Sequence, residues 1–451
     1  MNKLVTIIVC ILIFGGCVFS DDYCIILVGL LFFICFYDLF RIYYLTGKIR
    51  LFDFKNFFLT NYFYIHGFGY FSYSARVDIG LNWYNHSPDL IEHSLIVAIL
   101  AILILLLFYN ISIHNKEFIN SSYFVNRFKD IGYFQNLYNV NSKTWKKYTI
   151  WVVILFTLFW YVMGVIPFLT PGFHEAGRTE LGKGLGLIEA LSKSLLGLSI
   201  LFYIWKIKKK GHFDKSTLVF FMFCVSIFIL NDERGSLVYY IFSIAFVYYL
   251  CKGPISLQTY LLGFISVVVL AGGIGAMRSG GSREISGLER VAIEVATETS
   301  VEFDNYVETF NMFKNNDFLY GSTLIPIFTI PIPRIIFPEK NRYKTAGEYF
   351  KDYHGHDHIR VGERLTYVGE LYMNWGYLGI IIGMSILGVF MGKIVKWSTK
   401  ITKAIYLYLY MCIVNSTAAL IAGDIATAIV GFMMSNFFVF IYILFKKKKA
   451  I

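Results

Sequence analysis

Long, almost uncharged apolar runs leave this chain little choice of solvent. A bilayer core needs about 20 apolar residues per spanning helix. The sequence supplies about twelve such blocks: 4–20, 23–40, 54–72, 90–110, 148–168, 186–205, 216–230, 236–251, 256–277, 376–395, 404–422 and 425–445. They are continuous and helix-length, unlike the short alternating segments of an outer-membrane barrel. Only 16% of the 451 residues are charged, against about a quarter in a soluble domain. The expected fold is an all-α polytopic membrane protein, one transmembrane domain over 1–451. The first run ends in FGGC (14–17) and looks like a signal peptide. Phe14 stands where lipoprotein cleavage prefers a branched aliphatic, so a retained helix is expected.

Charge then chooses sides. A net charge of +11 suits nucleic acid in a soluble protein, but in a membrane protein it reflects cytoplasmic lysines. With the N terminus inside, the inner loops hold Arg41, Lys48, Arg50, Lys55, Lys143, Lys146 and Lys147. They also hold KIKKK (206–210), four lysines in 393–403 and KKKK (446–449). Both termini are then cytoplasmic, the partner is membrane lipid, and no nucleic acid is expected. One large polar piece, 278–375, falls outside, between helices 9 and 10. Cys10, Cys17, Cys24, Cys35, Cys224, Cys251 and Cys412 all lie in or beside apolar runs. They form no disulfide framework or CxxC zinc motif.

Within that loop, 288–313 has helical character, with Glu294, Glu298 and Glu302 on one face. That stripe is either solvated or meets arginines or sugar hydroxyls. Pro326, Pro331, Pro333 and Pro338 follow. Proline lacks an N–H, so this apolar stretch cannot be a regular helix and should pack at the interface or over the bundle. Arginines gather on the same side. Arg234 lies in the turn NDERGS (231–236), where helix 8 starts and its N-terminal N–H groups point outward. Arg178, Arg278, Arg283, Arg334, Arg360 and Arg364 lie in other outer segments. Guanidinium suits bidentate recognition of phosphate. Their gathering points to an anionic ligand at the outer boundary, such as a lipid pyrophosphate, with headgroup anchoring as the competing account.

Four stretches carry a resemblance: ILNDERGSLVYYIFSIAFVYYL (229–250), AMRSGGSRE (276–284), TIPIPRIIFPEKNRYKTAGEYF (329–350) and GERLTYVGELYMNWGYLGIIIGMSILGVFMG (362–392). With the span count and the single large outer loop, they resemble the O-antigen and oligosaccharide repeat-unit polymerases of bacterial envelopes. The resemblance implies a GT-C-like, lipid-phosphate-sugar glycosyltransferase of the inner membrane with a periplasmic active face. It implies transfer of a growing glycan from undecaprenyl pyrophosphate to a second undecaprenyl-pyrophosphate-linked unit. No metal and no other cofactor is expected, and a chain-length-regulating co-polymerase is a further partner.

Such chemistry needs fixed cations at the departing pyrophosphate and a base for the acceptor hydroxyl. Arg278 and Arg234 are the first candidates for the pyrophosphate, followed by Arg178, Arg283 and Arg334. Glu370, at the mouth of helix 10, is the first candidate base; its competing role is an ion pair with Arg364. His358, in the cluster HGHDH (354–358), and His174 follow. That cluster also allows a metal reading, but its spacing matches no established ligand set. Arg360, Arg364, Tyr372 and Trp375 are candidates for the acceptor sugars. Gly376, Gly379, Gly383 and Gly388 permit close packing of helix 10 or leave a groove for a polyprenyl chain. A ligase-like transferase shares the same donor. A repeat-unit flippase or other transporter is a third reading, disfavoured because the spans carry almost no mid-helix charge.

Overall fold

Helix starts are written beside the apolar runs. Asp22 accepts from the Cys24 amide at 2.8 Å and caps α1 (Tyr23–Thr46), which closes on Gly47 at φ +68°. The computed structural model describes residues 22–78 except 48, 84–113, 142–164, 199–210, 215–230, 234–253, 301–332 except 315, 336–354, 365–401 and 404–441, with isolated residues 166, 197, 256, 258 and 259. Among them every regular element is helical.

The span expected at 54–72 is longer. It comprises α2 (Phe54–Phe63), a π-turn (Tyr64–Phe68) and α3 (Gly69–Asp78). Next comes α4 (Pro88–Ile113), started by Ser87 accepting from the Leu90 amide, by Pro88 at the first helical position and by Asp89 in the first turn. It is followed by α5 (Ser142–Met163), α6 (Ser199–Lys210), α7 (Lys215–Leu230) and α8 (Arg234–Lys252). Helix α9 (301–312) is the described part of the helix expected at 288–313. The chain ends with α10 (Ala346–His354), α11 (Tyr367–Ser398), α12 (Ala404–Ile421) and α13 (Ile425–Ser435). Among the described residues α1, α4 and α11 are long and apolar enough to cross a membrane. Leu100, Leu103 and Leu107 on α4, and Leu378, Ile382 and Ile386 on α11, stand exposed, as a lipid-facing surface requires. The apolar runs at 4–20 and 260–277 lie outside the described residues.

Cross-contacts give each packed helix a direction. Helix α2 runs against α4, since Tyr62 donates to the Ala98 carbonyl at 2.8 Å while Lys55 lies 6.0 Å over the Tyr109 ring. Helix α8 runs against α2: Tyr249 donates to Asp53 at 2.6 Å and Phe242 meets Phe57. Helix α12 runs against α8, with Asn415 donating to Ser243 at 2.7 Å and Tyr410 beside Phe246. The body of α11 runs with α4: Tyr377 lies 2.7 Å from His93, Gly388 faces Leu105 and Gly392 faces Ser112. Such directions suit a chain that passes back and forth through a bilayer. They give the bundle two ends. One holds Asp22, Tyr70, Arg76 and His86; the other holds Asp38, Lys55, Asp53 and Tyr249.

Gly388 does what the sequence suggests. A Cβ there would strike the Leu105 carbonyl of α4, so its absence lets two backbones touch. Gly379 and Gly383 serve another purpose. Their faces meet Leu371 of the same helix, because α11 is broken at Trp375 (φ −145°, ψ 18°) and Gly376 (φ +60°, ψ −145°). Residues 367–374 fold back along 377–383, and Tyr367 donates to the Gly383 carbonyl at 3.1 Å. The span expected from residue 376 therefore starts at the break.

Gly388→Leu should push α11 off α4 and destabilise the protein by about 1–3 kcal/mol. Gly431→Ala, in mid-helix with open space around its Cβ, should raise stability by up to about 1 kcal/mol. Thermal unfolding of the two variants in detergent checks the contrast.

Candidate functional site

The folded-back segment 367–374 is a short helix that ends inside protein, so its orphan carbonyls need donors. The preceding loop supplies them. Leu319 N–H donates to Met373 O at 2.9 Å, Tyr320 N–H to Asn374 O at 3.0 Å, and Gly321 N–H to the Asn374 side chain at 2.8 Å. The proline stretch continues as a 3-10 turn (Ser322–Leu324), one helical turn (Pro326–Thr329) and a second 3-10 turn (Pro338–Arg342). That is the broken, packed path expected of an apolar segment rich in proline.

Glu370 joins these pieces. Its side chain is fully buried. Oε1 accepts from Thr323 Oγ1 at 2.6 Å and Oε2 from the Ile425 amide at 2.5 Å. Asn374 donates to Thr323 at 2.7 Å, completing the network. Ile425 is the first residue of α13, whose cap Asp424 accepts from Thr427 at 2.6 Å. Glu370 thus fills a helix N terminus that the cap leaves open. The expectation of a partly buried base at a helix mouth meets a fully enclosed carboxylate with both oxygens occupied. Among the described residues its partners are a hydroxyl and a backbone amide; Arg364 lies outside them.

A second polar cluster was not anticipated. Arg76, at the end of α3, pairs with Asp304 on α9. Both are buried, so each needs the other. His86 Nδ1 stands 3.5 Å from Glu308 Oε2, and His86 Nε2 stands 4.0 Å from Asp304 Oδ1. His354 Nε2, from the last residue of α10, stands 3.7 Å from Glu308 Oε1. Asn311 donates to the same Glu308 oxygen at 3.1 Å. Burial, with Glu308 nearby, lifts the Asp304 carboxyl to about 6 despite Arg76. Burial likewise raises Glu308, holds His86 down to about 4 and lowers His354. The sequence marks Glu294, Glu298 and Glu302 as one acidic stripe on this helix, solvated or meeting arginines or sugar hydroxyls. Glu294 and Glu298 lie outside the described residues. The buried face is Asp304, Asn305 and Glu308, and the only local signal was a second i, i+4 acidic pair.

Aromatic residues separate the two clusters. Tyr372, expected to face a sugar, is packed instead. Its ring lies 4.5 Å from Phe310, 5.3 Å from Tyr377 and 5.7 Å from Phe318, and only 8% of the residue is exposed. Trp375 at the break and Tyr377 beyond it keep open faces, 38% and 50% exposed. Tyr377 was not singled out from the sequence. The backbone sets Arg234 at the start of α8, at the Arg76 end of the bundle. The candidates Arg178, Arg278, Arg283, Arg334, Arg360, Arg364, His174 and His358 lie outside the described residues.

A family model described as O-antigen polysaccharide polymerase Wzy matches residues 3–450, nearly the whole chain. No curated protein and no solved structure matches.

Two outcomes follow from this geometry. Glu370→Gln puts an amide N–H against one of two donors, the Ile425 amide or the Thr323 hydroxyl, and should cost about 1–3 kcal/mol of stability, read as a fall in Tm. The second concerns pH. The lowered pKa of His86 contributes stability present above about 6.5 and lost as pH falls toward 4. Asp304 acts oppositely: its raised pKa contributes stability that is lost as pH rises through about 6. Removing the histidine leaves the second effect, so the Tm difference between His86→Gln and wild type should move in the variant's favour as pH falls from 7 to 5. The slope is bounded at about 1.4 kcal/mol per pH unit.

Proposed function

This chain belongs to the O-antigen polysaccharide polymerase Wzy family, and we propose that it joins its lipid-linked repeat units by glycosyl transfer out of undecaprenyl pyrophosphate at the periplasmic face of the inner membrane. The family assignment makes it a membrane protein of O-antigen repeat-unit polymerisation. The finer reading adds donor, acceptor and chemistry. The growing glycan leaves its pyrophosphate carrier, and a hydroxyl at the non-reducing end of a new carrier-linked unit takes its place. The oxygen of that hydroxyl forms the new bond to C1, the C1–O bond to pyrophosphate breaks, and the bonding pair departs with the diphosphate.

The observation that supports this reading most is that α8 begins, with Arg234, at the same end of the bundle as the Arg76 cluster. The proline stretch whose Thr323 bonds Glu370 carries Arg334 in its sequence. In the sequence Arg360 and Arg364 fall between His354, which faces Glu308, and Leu365, which precedes the cap Thr366. In this reading Arg234, Arg278 and Arg334, with Arg178 and Arg283, form the cationic wall for the departing pyrophosphate. Trp375 stacks on acceptor sugar beside Arg360 and Arg364. Glu370, its oxygens filled, positions the floor of the site and does not meet the acceptor hydroxyl. Transfer proceeds without a metal, and a co-polymerase setting chain length acts on the same face.

The test uses full-length protein and the lipid-linked single unit that accumulates in a strain lacking the polymerase. Arg234→Ala, Arg278→Ala and Arg334→Ala should reach the membrane at normal levels yet lose elongation by about 10²-fold or more each. Normal polymer from all three would remove the pyrophosphate assignment.

A further inference from the structure

With Glu370 enclosed, the proton of the attacking hydroxyl needs another acceptor, and the second polar cluster offers one. Glu308 is a fixed carboxylate. It projects from α9, which is locked to α4 by Tyr306 donating to the Ser94 carbonyl at 2.9 Å. Asn311 holds its Oε1, and His86 faces its Oε2. His354 is equally constrained. Its ring sits 4.7 Å from Phe350, 5.1 Å from Tyr84 and 4.9 Å from Tyr353. Helix α10 is pinned at its start by a reciprocal cap, in which Thr345 N–H donates to Glu348 Oε2 at 2.7 Å and Glu348 N–H returns to Thr345 Oγ1 at 3.4 Å.

The pair stands at ion-pair distance, longer than a hydrogen bond, with a ring nitrogen toward the carboxylate. His354 Nε2 faces Glu308 Oε1 at 3.7 Å and has no hydrogen-bond partner among the described residues. A proton on Nε2 is therefore favoured by the carboxylate, which leaves Nδ1 as the basic nitrogen. Burial lowers the pKa of the ring and so favours its neutral form. Access singles it out within the network. The His354 side chain is 15% exposed, against 7% for Glu308 and 2% for His86. It closes α10 immediately before the stretch that carries Arg360 and Arg364. The groups facing the pair are Glu308 and Asn311 from α9, and Tyr84 and His86 from the segment before α4; Arg76 and Asp304 lie one contact further back.

We propose that His354 is the general base of the transfer and that Glu308 is its positioning residue. This rests on the polymerase reading. The acceptor O–H proton passes to His354 Nδ1 as its oxygen bonds to C1 and the C1–O bond to pyrophosphate breaks. The imidazolium, held against Glu308, then gives its proton to water.

The test measures elongation by full-length protein in detergent, with the extracted lipid-linked unit as substrate and Tm and membrane level as folding controls. His354→Gln should lower kcat by about 10²–10⁴-fold while KM changes less than about threefold, and the acidic limb of the pH–rate profile should disappear. Glu308→Gln should lower kcat by about tenfold and move that limb to lower pH, because the imidazolium loses its counter-charge. His354→Gly should recover activity with added imidazole, and this arm decides the matter if the glutamine variant misfolds. A kcat within threefold of wild type for His354→Gln, an unchanged acidic limb, or an inactive His354→Gly that imidazole fails to rescue overturns the assignment. If the arginine variants fail and the His354 variants elongate normally, the base assignment alone falls. If wild type leaves the single unit unextended, the polymerase reading falls with it.

Discussion

The polar end of the bundle depends on burying Arg76 against Asp304. The two residues lie 228 positions apart, yet each is almost wholly removed from solvent. A charge so buried is tolerable only when paired, and removing one partner from such a pair typically costs about 3–5 kcal/mol. Arg76 must therefore stay on Asp304, and α9 must stay against the end of α3. The rest follows from that placement. Glu308, one turn along from Asp304, turns toward His86 and His354, and α10 closes over them through Phe350.

The second organising constraint is the demand of backbone polar groups for partners where water is scarce. Residues 367–374 form a helix too short to reach solvent at both ends. Their carbonyls are met by the N–H groups of Leu319 and Tyr320, and the amide of Ile425 is met by Glu370. The loop at 319–321, just before the proline stretch, is thus a set of donors held where a regular helix would have spent those N–H groups internally. Gly376 supplies the positive φ at the fold-back, and Gly379 and Gly383 clear the path for Leu371.

These constraints divide the labour among ionisable groups of similar type. Glu370 is a carboxylate turned into a structural acceptor by two donors. Asp304 balances a buried cation. Glu308 keeps one oxygen toward a histidine that reaches the surface. Chemical identity is nearly constant across the three; what differs is the number of donors each meets and the water it retains. That difference is the ground on which His354, and not Glu370, is proposed as the proton acceptor.

The sequence by itself determined the solvent of this protein and the helices that follow from it. Blocks of about 20 apolar residues admit no other backbone in a bilayer. Caps such as Asp22 and Ser87–Pro88 and the irregularity of the proline stretch were also local, because each depends on residues within one turn. Family membership was legible through four stretches that include NDERGS and GERLTYVGELYMNWG. Only tertiary structure decided which acidic residues are buried and by what. Glu302 and Asp304 are two positions apart on one helix and look alike in the sequence. Arg76 and His86 reach Asp304 and Glu308 from more than 200 residues away, and Thr323 and Ile425 close on Glu370 from opposite sides. Burial and pairing are set by what packs against a side chain, and no local pattern of charge records a partner that distant.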